Sequence, residues 1–262
     1  MKLEAKALEF GYPGKRVGHG VDFELGPGEC FCFLGANGSG KTTLFRTLLG
    51  LLPPRGGEVR LDGRRVGDLG IEERARLMAY VPQAQRPTLP FSVLDVVLMG
   101  RAARLGVFSA PSRRDVEVAL ESLRSLEIED LAPEPITRLS GGQQQLAVIA
   151  RALAQEPRVL VLDEPTASLD YGNQVRLLRR IRELASRGIA LVISTHDPGH
   201  AFACGTRVGL LHGGTLMASG PPASVITTDS LKTLYGVNLE VRELPGDRDG
   251  ERRSCVVLDY QA

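Results

Sequence analysis

Gly35-Ala36-Asn37-Gly38-Ser39-Gly40-Lys41-Thr42 constrains this chain more than any other stretch. It meets the G-x-x-x-x-G-K-[ST] pattern at every required position. The apolar run Cys30-Phe31-Cys32-Phe33-Leu34 precedes it, and Thr43-Leu44-Phe45-Arg46-Thr47-Leu48-Leu49 follows with helical composition. Strand, glycine loop and helix, in that order, make a loop that cradles phosphate. The glycines let backbone N–H groups close around phosphate oxygens where a Cβ would stand in the way. The helix start adds unpaired N–H donors and the positive end of its dipole. Here Lys41 is placed to reach the β- and γ-phosphates of a nucleotide, and the Thr42 hydroxyl to ligate Mg²⁺. Gly35, Asn37, Gly38, Ser39, Gly40 and Thr43 complete the predicted binding loop.

A chain of 262 residues has room for one large α/β domain or two small ones. At 43% hydrophobic and 24% charged it reads as an ordinary soluble protein, and its net charge of +1 gives no global reason to expect nucleic acid as a partner. The four cysteines, Cys30, Cys32, Cys204 and Cys255, contain no C-x-x-C pair. Cys30 and Cys32 alternate with Phe31 and Phe33, so the two thiols are expected on one strand face as small buried apolar groups. Neither a zinc site nor a disulfide framework is expected, and a reducing compartment is favoured. Met1-Lys2-Leu3-Glu4-Ala5-Lys6 lacks the apolar core of a signal peptide, and no apolar run approaches the ~18 residues of a membrane span.

Periodicity then places the elements. Residues 3–10 and 20–25 read as short strands, and Gly57–Gly63 as a strand closed by an Asp-Gly turn. Together they suggest a mixed sheet edge wrapped on the nucleotide core. Between Ser92 and Ile128 the pattern is helical, with Val116, Ala119, Leu120, Leu123 and Leu126 predicted as one apolar stripe. A second helix is predicted after Ser140, carrying Leu146, Ile149, Ala150 and Leu153 and stopping near Pro157. Val159–Leu162 and Ile189–Ile193 read as strands buried on both faces. The helix between them carries Val175, Leu178, Ile181 and Ala185 and ends at Gly188. Alternation of this kind predicts a parallel sheet flanked by helices. Two hairpins are expected later, one around His212-Gly213-Gly214 and one around Pro245-Gly246-Asp247-Arg248-Asp249-Gly250.

Asp163-Glu164 ends the apolar run Val159–Leu162. A carboxylate at such a strand end, beside a phosphate loop, is placed to hold Mg²⁺ through water, and Glu164 to polarise an attacking water. Leu139-Ser140-Gly141-Gly142-Gln143 comes shortly before. Ser140 reads as an N-cap, and the two glycines open a helix N-terminus, a second anion site without a lysine. With these three elements in this order, the chain resembles the ABC-type ATPases over roughly residues 3–220. The resemblance implies ATP as substrate and Mg²⁺ as cofactor, with two ATPs sandwiched in a head-to-tail homodimer. It implies that Ser140, Gly141, Gly142 and Gln143 meet the opposing subunit's nucleotide, and that Asp170, in Ser168-Leu169-Asp170, crosses the interface. By the same resemblance Gln83 senses Mg²⁺ and the attacking water, His196 contacts the γ-phosphate, and Tyr12 stacks on adenine. Thr42, Gln83 and Asp163 then form the metal set, and Glu164, His196 and Gln83 the catalytic one. Gln144-Gln145-Leu146 departs from the family, many of whose members carry a basic residue by the third of these positions.

The implied fold is α/β: a P-loop NTPase core with a mostly parallel sheet, an N-terminal antiparallel β-subdomain and an α-helical signature subdomain. The domain reading is an ATPase domain over 1–236, its helical subdomain about 84–150, and a small hairpin-like extension over 237–262. A free-standing cassette with one phosphate loop most resembles an importer subunit. Phe91–Arg101 resembles the corresponding segment of importers of metal chelates: iron-siderophore, haem, cobalamin and molybdate. That implies separate membrane permease subunits, indirectly a periplasmic or extracellular substrate-binding protein, and a cytoplasmic place on the inner face of the membrane. Two other readings stay open. A soluble non-transport ABC ATPase, such as an iron–sulfur assembly scaffold subunit, would purify with soluble partners. A P-loop kinase would yield a phosphorylated acceptor in place of free phosphate.

Overall fold

The computed structural model describes residues 1–83, 89–105, 109–237, 239–245 and 252–258. Its strands are β1 (Leu3–Tyr12), β2 (Lys15–Leu25), β3 (Cys30–Leu34), β4 (Gly56–Leu61), β5 (Arg64–Arg65), β6 (Met78–Val81), β7 (Val159–Asp163), β8 (Ala190–Thr195), β9 (Arg207–His212), β10 (Thr215–Gly220), β11 (Leu239–Pro245) and β12 (Arg252–Leu258). Its α-helices are α1 (Lys41–Leu48), α2 (Ile71–Leu77), α3 (Val93–Leu98), α4 (Arg113–Ser125), α5 (Gly141–Ala154), α6 (Tyr171–Ser186), α7 (Pro198–Cys204), α8 (Pro222–Val225) and α9 (Thr228–Tyr235).

Six strands form the central sheet in the order β10-β9-β3-β8-β7-β6, parallel except where β10 folds back on β9. Alternate residues of its strands feed opposite cores. Cys30, Cys32, Leu34, Leu160, Leu162, Leu191 and Ile193 pack toward α6, α7 and the helical segment. Phe31, Phe33, Val159, Val161 and Val192 pack toward α1 and the N-terminal sheet. Phe23, Phe31, Phe33 and Phe45 meet there, with neighbouring ring centroids 4.7–5.8 Å apart. Such tilted and edge-on pairs add to the stabilisation from burial.

The N-terminal sheet has the order β2-β1-β4-β5 and is antiparallel throughout, which bears out the implied antiparallel β-subdomain and corrects the mixed sheet edge suggested by the strand runs alone. A short Pro13-Gly14 turn joins β1 to β2, so β2 starts at Lys15, five residues earlier than its apolar run suggests. Backbone pairing to β1, not burial, makes those residues strand: Lys15 lies opposite Tyr12, and Arg16 opposite Gly11. A bond from the His19 N–H to the Gly214 carbonyl (3.0 Å) ties this sheet to the central one.

In the helical segment α3, α4 and α5 pack together, and Ser92, Ser112 and Ser140 cap their N-termini. The buried stripe of α4 is Asp115, Val118, Ala119, Ser122 and Leu123, with Val116 and Leu120 only half-buried. The rotation has an electrostatic cause. Asp115 turns inward to accept a hydrogen bond from Arg101 Nε at 2.9 Å, and Arg101 also donates to the Ala154 carbonyl and Glu156. On α6, Val175 is 52% exposed at the mouth of a groove, while Leu177, Leu178, Ile181, Leu184 and Ala185 form the buried face. β11 and β12 pair antiparallel from Leu239 opposite Leu258 to Pro245 opposite Arg252. The expected turn residues 246–250 and the 84–88 part of the helical segment lie outside the described residues.

Candidate active site

The phosphate loop joins β3 to α1. Gly40 caps α1 with a left-handed φ of 101°, and a Cβ there would lie 2.9 Å from the Val17 side chain. A Cβ at Gly35 would come within 2.5 Å of the Leu211 carbonyl. Both positions therefore need glycine, one for its φ and both for space. Over the loop lies a cleft of about 630 Å³ bordered by Asn37, Gly38, Lys41, Thr42, Thr43 and Gln83. Lys41 is 5% exposed, and its Nζ donates to the Gly35 carbonyl at 2.8 Å and the Ala36 carbonyl at 3.1 Å. The buried Ser39 hydroxyl has no hydrogen-bond partner among the described residues. A buried ammonium and an orphaned hydroxyl in one glycine-rich loop fit a polyanion.

The acidic wall comes from β7 and its end. Asp163 is 1% exposed and accepts from three hydroxyls: Thr42 (2.7 Å), Ser194 (2.5 Å) and Tyr80 (3.3 Å). Burial and this carboxylate push the Tyr80 phenol up to about 12, so Tyr80 stays a donor. Carboxylate, hydroxyl and amide oxygens of Asp163, Thr42 and Gln83 are the hard donor set that Mg²⁺ takes, and in that respect they fit the ion.

Glu164 follows with φ 47°, a left-handed backbone uncommon for a non-glycine residue and costing of order 1–3 kcal/mol. Its N–H donates to Ser194 Oγ at 2.8 Å, which holds that conformation. Three groups meet at its carboxylate: Lys41 Nζ at 3.4 Å, Gln83 Nε2 at 3.4 Å and His196 Nδ1 at 3.5 Å. The His196 ring is half-exposed, while its backbone carbonyl is anchored by the Tyr235 hydroxyl at 2.7 Å. A carboxylate so placed can accept a proton from a water above the loop.

Tyr12 sits at the β1–β2 turn on the rim of the cleft, and its hydroxyl accepts from Arg46 at 3.2 Å. Lys15 and Arg16 border the same cleft. Sequence reasoning missed these two, along with Tyr80 and Ser194. A basic pair just after a Pro-Gly turn was the available signal for the first two. Ser194 offered only one small polar residue at the end of an apolar run. The structure does not bring Ser140, Gly141, Gly142, Gln143 or Asp170 into this cleft. Ser140 and Gln143 instead exchange a reciprocal cap and border another pocket beside Arg176 and Arg180. Asp170 caps α6 through the Asn173 N–H at 2.8 Å.

A lysine-bearing glycine loop at the end of a central parallel strand, faced by an Asp-Glu pair, defines a P-loop ATPase. Residues 19–167 match the ABC transporter family. The chain belongs to that family, among its ATP-binding ATPases. It is 43% identical over 241 residues to an uncharacterised ABC transporter ATP-binding protein of Haemophilus influenzae, covering 92% of each chain. Identity is 39% over 237 residues to a hemin import ATP-binding protein of Streptomyces coelicolor, covering 90% of this chain and 83% of that one. A solved inward-facing transporter assigned to the metal-chelate type superposes with a TM-score of 0.86 at 31% identity, over 99% of this chain and 98% of that one. Among the described residues no helix is long and apolar enough to cross a membrane.

Proposed function

We propose that this chain is the ATP-hydrolysing subunit of an importer for metal chelates such as haem or an iron complex, working beneath separate membrane permease subunits. Similarity to a hemin import protein and to a metal-chelate type transporter over at least nine-tenths of the chain supports the transport reading. The convergence of Lys41, Gln83 and His196 on Glu164 carries the hydrolytic part.

In this reading Lys41 exchanges its two loop carbonyls for β- and γ-phosphate oxygens, and Tyr12 stacks on adenine at the cleft rim. The N–H groups of Gly35–Thr43 surround the phosphates. Thr42, Asp163 and Gln83 hold Mg²⁺, which when bound neutralises charge on the phosphates. Glu164 takes the proton of the attacking water, and His196 reaches the γ-phosphate from its exposed position. Ser140, Gly141, Gly142, Gln143 and Asp170 act on the ATP of a second copy in a head-to-tail homodimer. Closing and reopening of that dimer moves the permease, to which an external binding protein delivers the chelate. The functional division is an ATPase domain over 1–236 with its helical subdomain at about 84–150, plus the 237–262 extension. The chain works on the cytoplasmic face of the membrane.

Complementation of cells lacking this chain tests both parts. ATP-dependent uptake of haem or a ferric chelate should return with the wild-type chain. It should not return with Glu164→Gln, whose ATPase rate should fall by ~10²-fold or more while ATP binding persists. Uptake restored equally by Glu164→Gln would overturn the assignment of the base. Uptake indifferent to loss of the chain would overturn the importer.

A further inference from the structure

The alternation that sends Phe31 and Phe33 to one core sends Cys30 and Cys32 to the other. α7 ends there at Cys204, and the chain then runs close along β3. The Thr206 hydroxyl bonds the Cys30 N–H at 2.9 Å and the Cys30 carbonyl at 3.1 Å. At Gly205 a Cβ would lie 3.0 Å from Cys32 Sγ, so only glycine lets the strand and helix end approach this far. The three sulfurs, all buried, lie within 4.8 Å of one another. The neighbouring positions Gly28, Arg182, Phe202 and Thr206 border a surface pocket of about 330 Å³ whose wall includes Cys204.

We propose that Cys30, Cys32 and Cys204 bind one Cu(I) ion. Among the described residues the donor set is three soft sulfurs, with no histidine or carboxylate ligand in the cluster. Soft thiolates suit Cu(I), zinc and iron–sulfur clusters alike, but zinc in a closed site takes four ligands, so a set of three sulfurs favours Cu(I). A metal with sulfur bonds of about 2.3 Å, centred in a triangle, needs sulfurs about 4 Å apart. The observed spread reaches that with shifts of under about 1 Å, within rotamer adjustment. On binding, S–H bonds release their protons to solvent as S–Cu bonds form, with no change of oxidation state. The pocket gives the ion its path to Cys204. Occupancy would tie β3, which feeds the phosphate loop, to the helix that follows His196.

The test is Cu(I) titration of the full chain under anaerobic conditions against a chromophoric Cu(I) chelator, with X-ray absorption of the loaded protein. One equivalent should be held, with at least tenfold weaker retention in Cys204→Ala and no change in Cys255→Ser. In Cys255→Ser loaded below one equivalent, three sulfur neighbours should surround the metal. Equal retention by Cys204→Ala and wild type, two-sulfur coordination in Cys255→Ser, or loss of binding in Cys255→Ser would each overturn the site. If Cys204→Ala fails to fold, the absorption spectrum of Cys255→Ser decides alone, because Cys30, Cys32 and Cys204 are then the remaining cysteines.

Discussion

Ser194 holds the acidic wall of the site in place. Fully buried, it donates to Asp163 Oδ1 at 2.5 Å and accepts from the Glu164 N–H at 2.8 Å. One hydroxyl thus orients the Asp163 carboxylate and clamps the left-handed backbone of Glu164, the base proposed above. Ser194→Ala leaves a buried N–H and one carboxylate oxygen without that partner, a loss of about 1–3 kcal/mol. The expected result is a fall in kcat of about tenfold, with KM for ATP within about twofold and partial rescue by Ser194→Thr. Steady-state ATPase assays check this, and an unchanged kcat would remove Ser194 from the mechanism. Gly35–Thr42, Asp163 and Glu164 were legible because their chemistry demands particular residue types at particular spacing. Ser194 was not, because a serine at a strand end has many uses and its partners sit on another strand.

At the scale of elements, α4 shows how one charge can re-aim a helix. The Ser112 hydroxyl and the Arg101 guanidinium hold the Asp115 carboxyl down at about 2, from an ordinary 3.8. A depressed folded-state value means that the stabilisation is complete above about pH 4 and fades as pH falls toward 2. Asp115→Asn should therefore be less stable than wild type by a constant margin between about pH 5 and 8, with the gap narrowing by about pH 3. Denaturant melts across that range measure it, and a gap that does not shrink in acid would show that Asp115 acts by packing alone. The predicted stripe assigned Val116 and Leu120 to the core because apolar periodicity cannot register an inward carboxylate. β3, β7 and β8 were read correctly because a strand buried on both faces is apolar at nearly every position. β2 was read short because Lys15, Arg16 and Gly18 are held by pairing to β1, which leaves no mark on composition.

At the scale of the molecule, the two helix starts suited to anions, at Gly40 and Ser140, do not share a cleft in one chain. If each active site is completed by a second copy, Lys41→Ala and Ser140→Arg chains should each be inactive alone. Mixed, they should regain ATPase activity, because one site per heterodimer then pairs an intact loop with an intact Ser140. Assays of mixed and separate proteins check this, and no recovery on mixing would place both functions within one chain. By itself the sequence determined the phosphate loop, the acidic pair, the second capped helix and the parallel core. Each of these is local, set by glycine conformation, by capping or by a strand's own burial. Only the tertiary structure decided which distant groups meet. It carried Lys41, Gln83 and His196 to Glu164, put Ser194 beneath Asp163 and brought Cys204 to Cys30 and Cys32. Those contacts depend on strand order and helix packing, which short-range pattern does not encode.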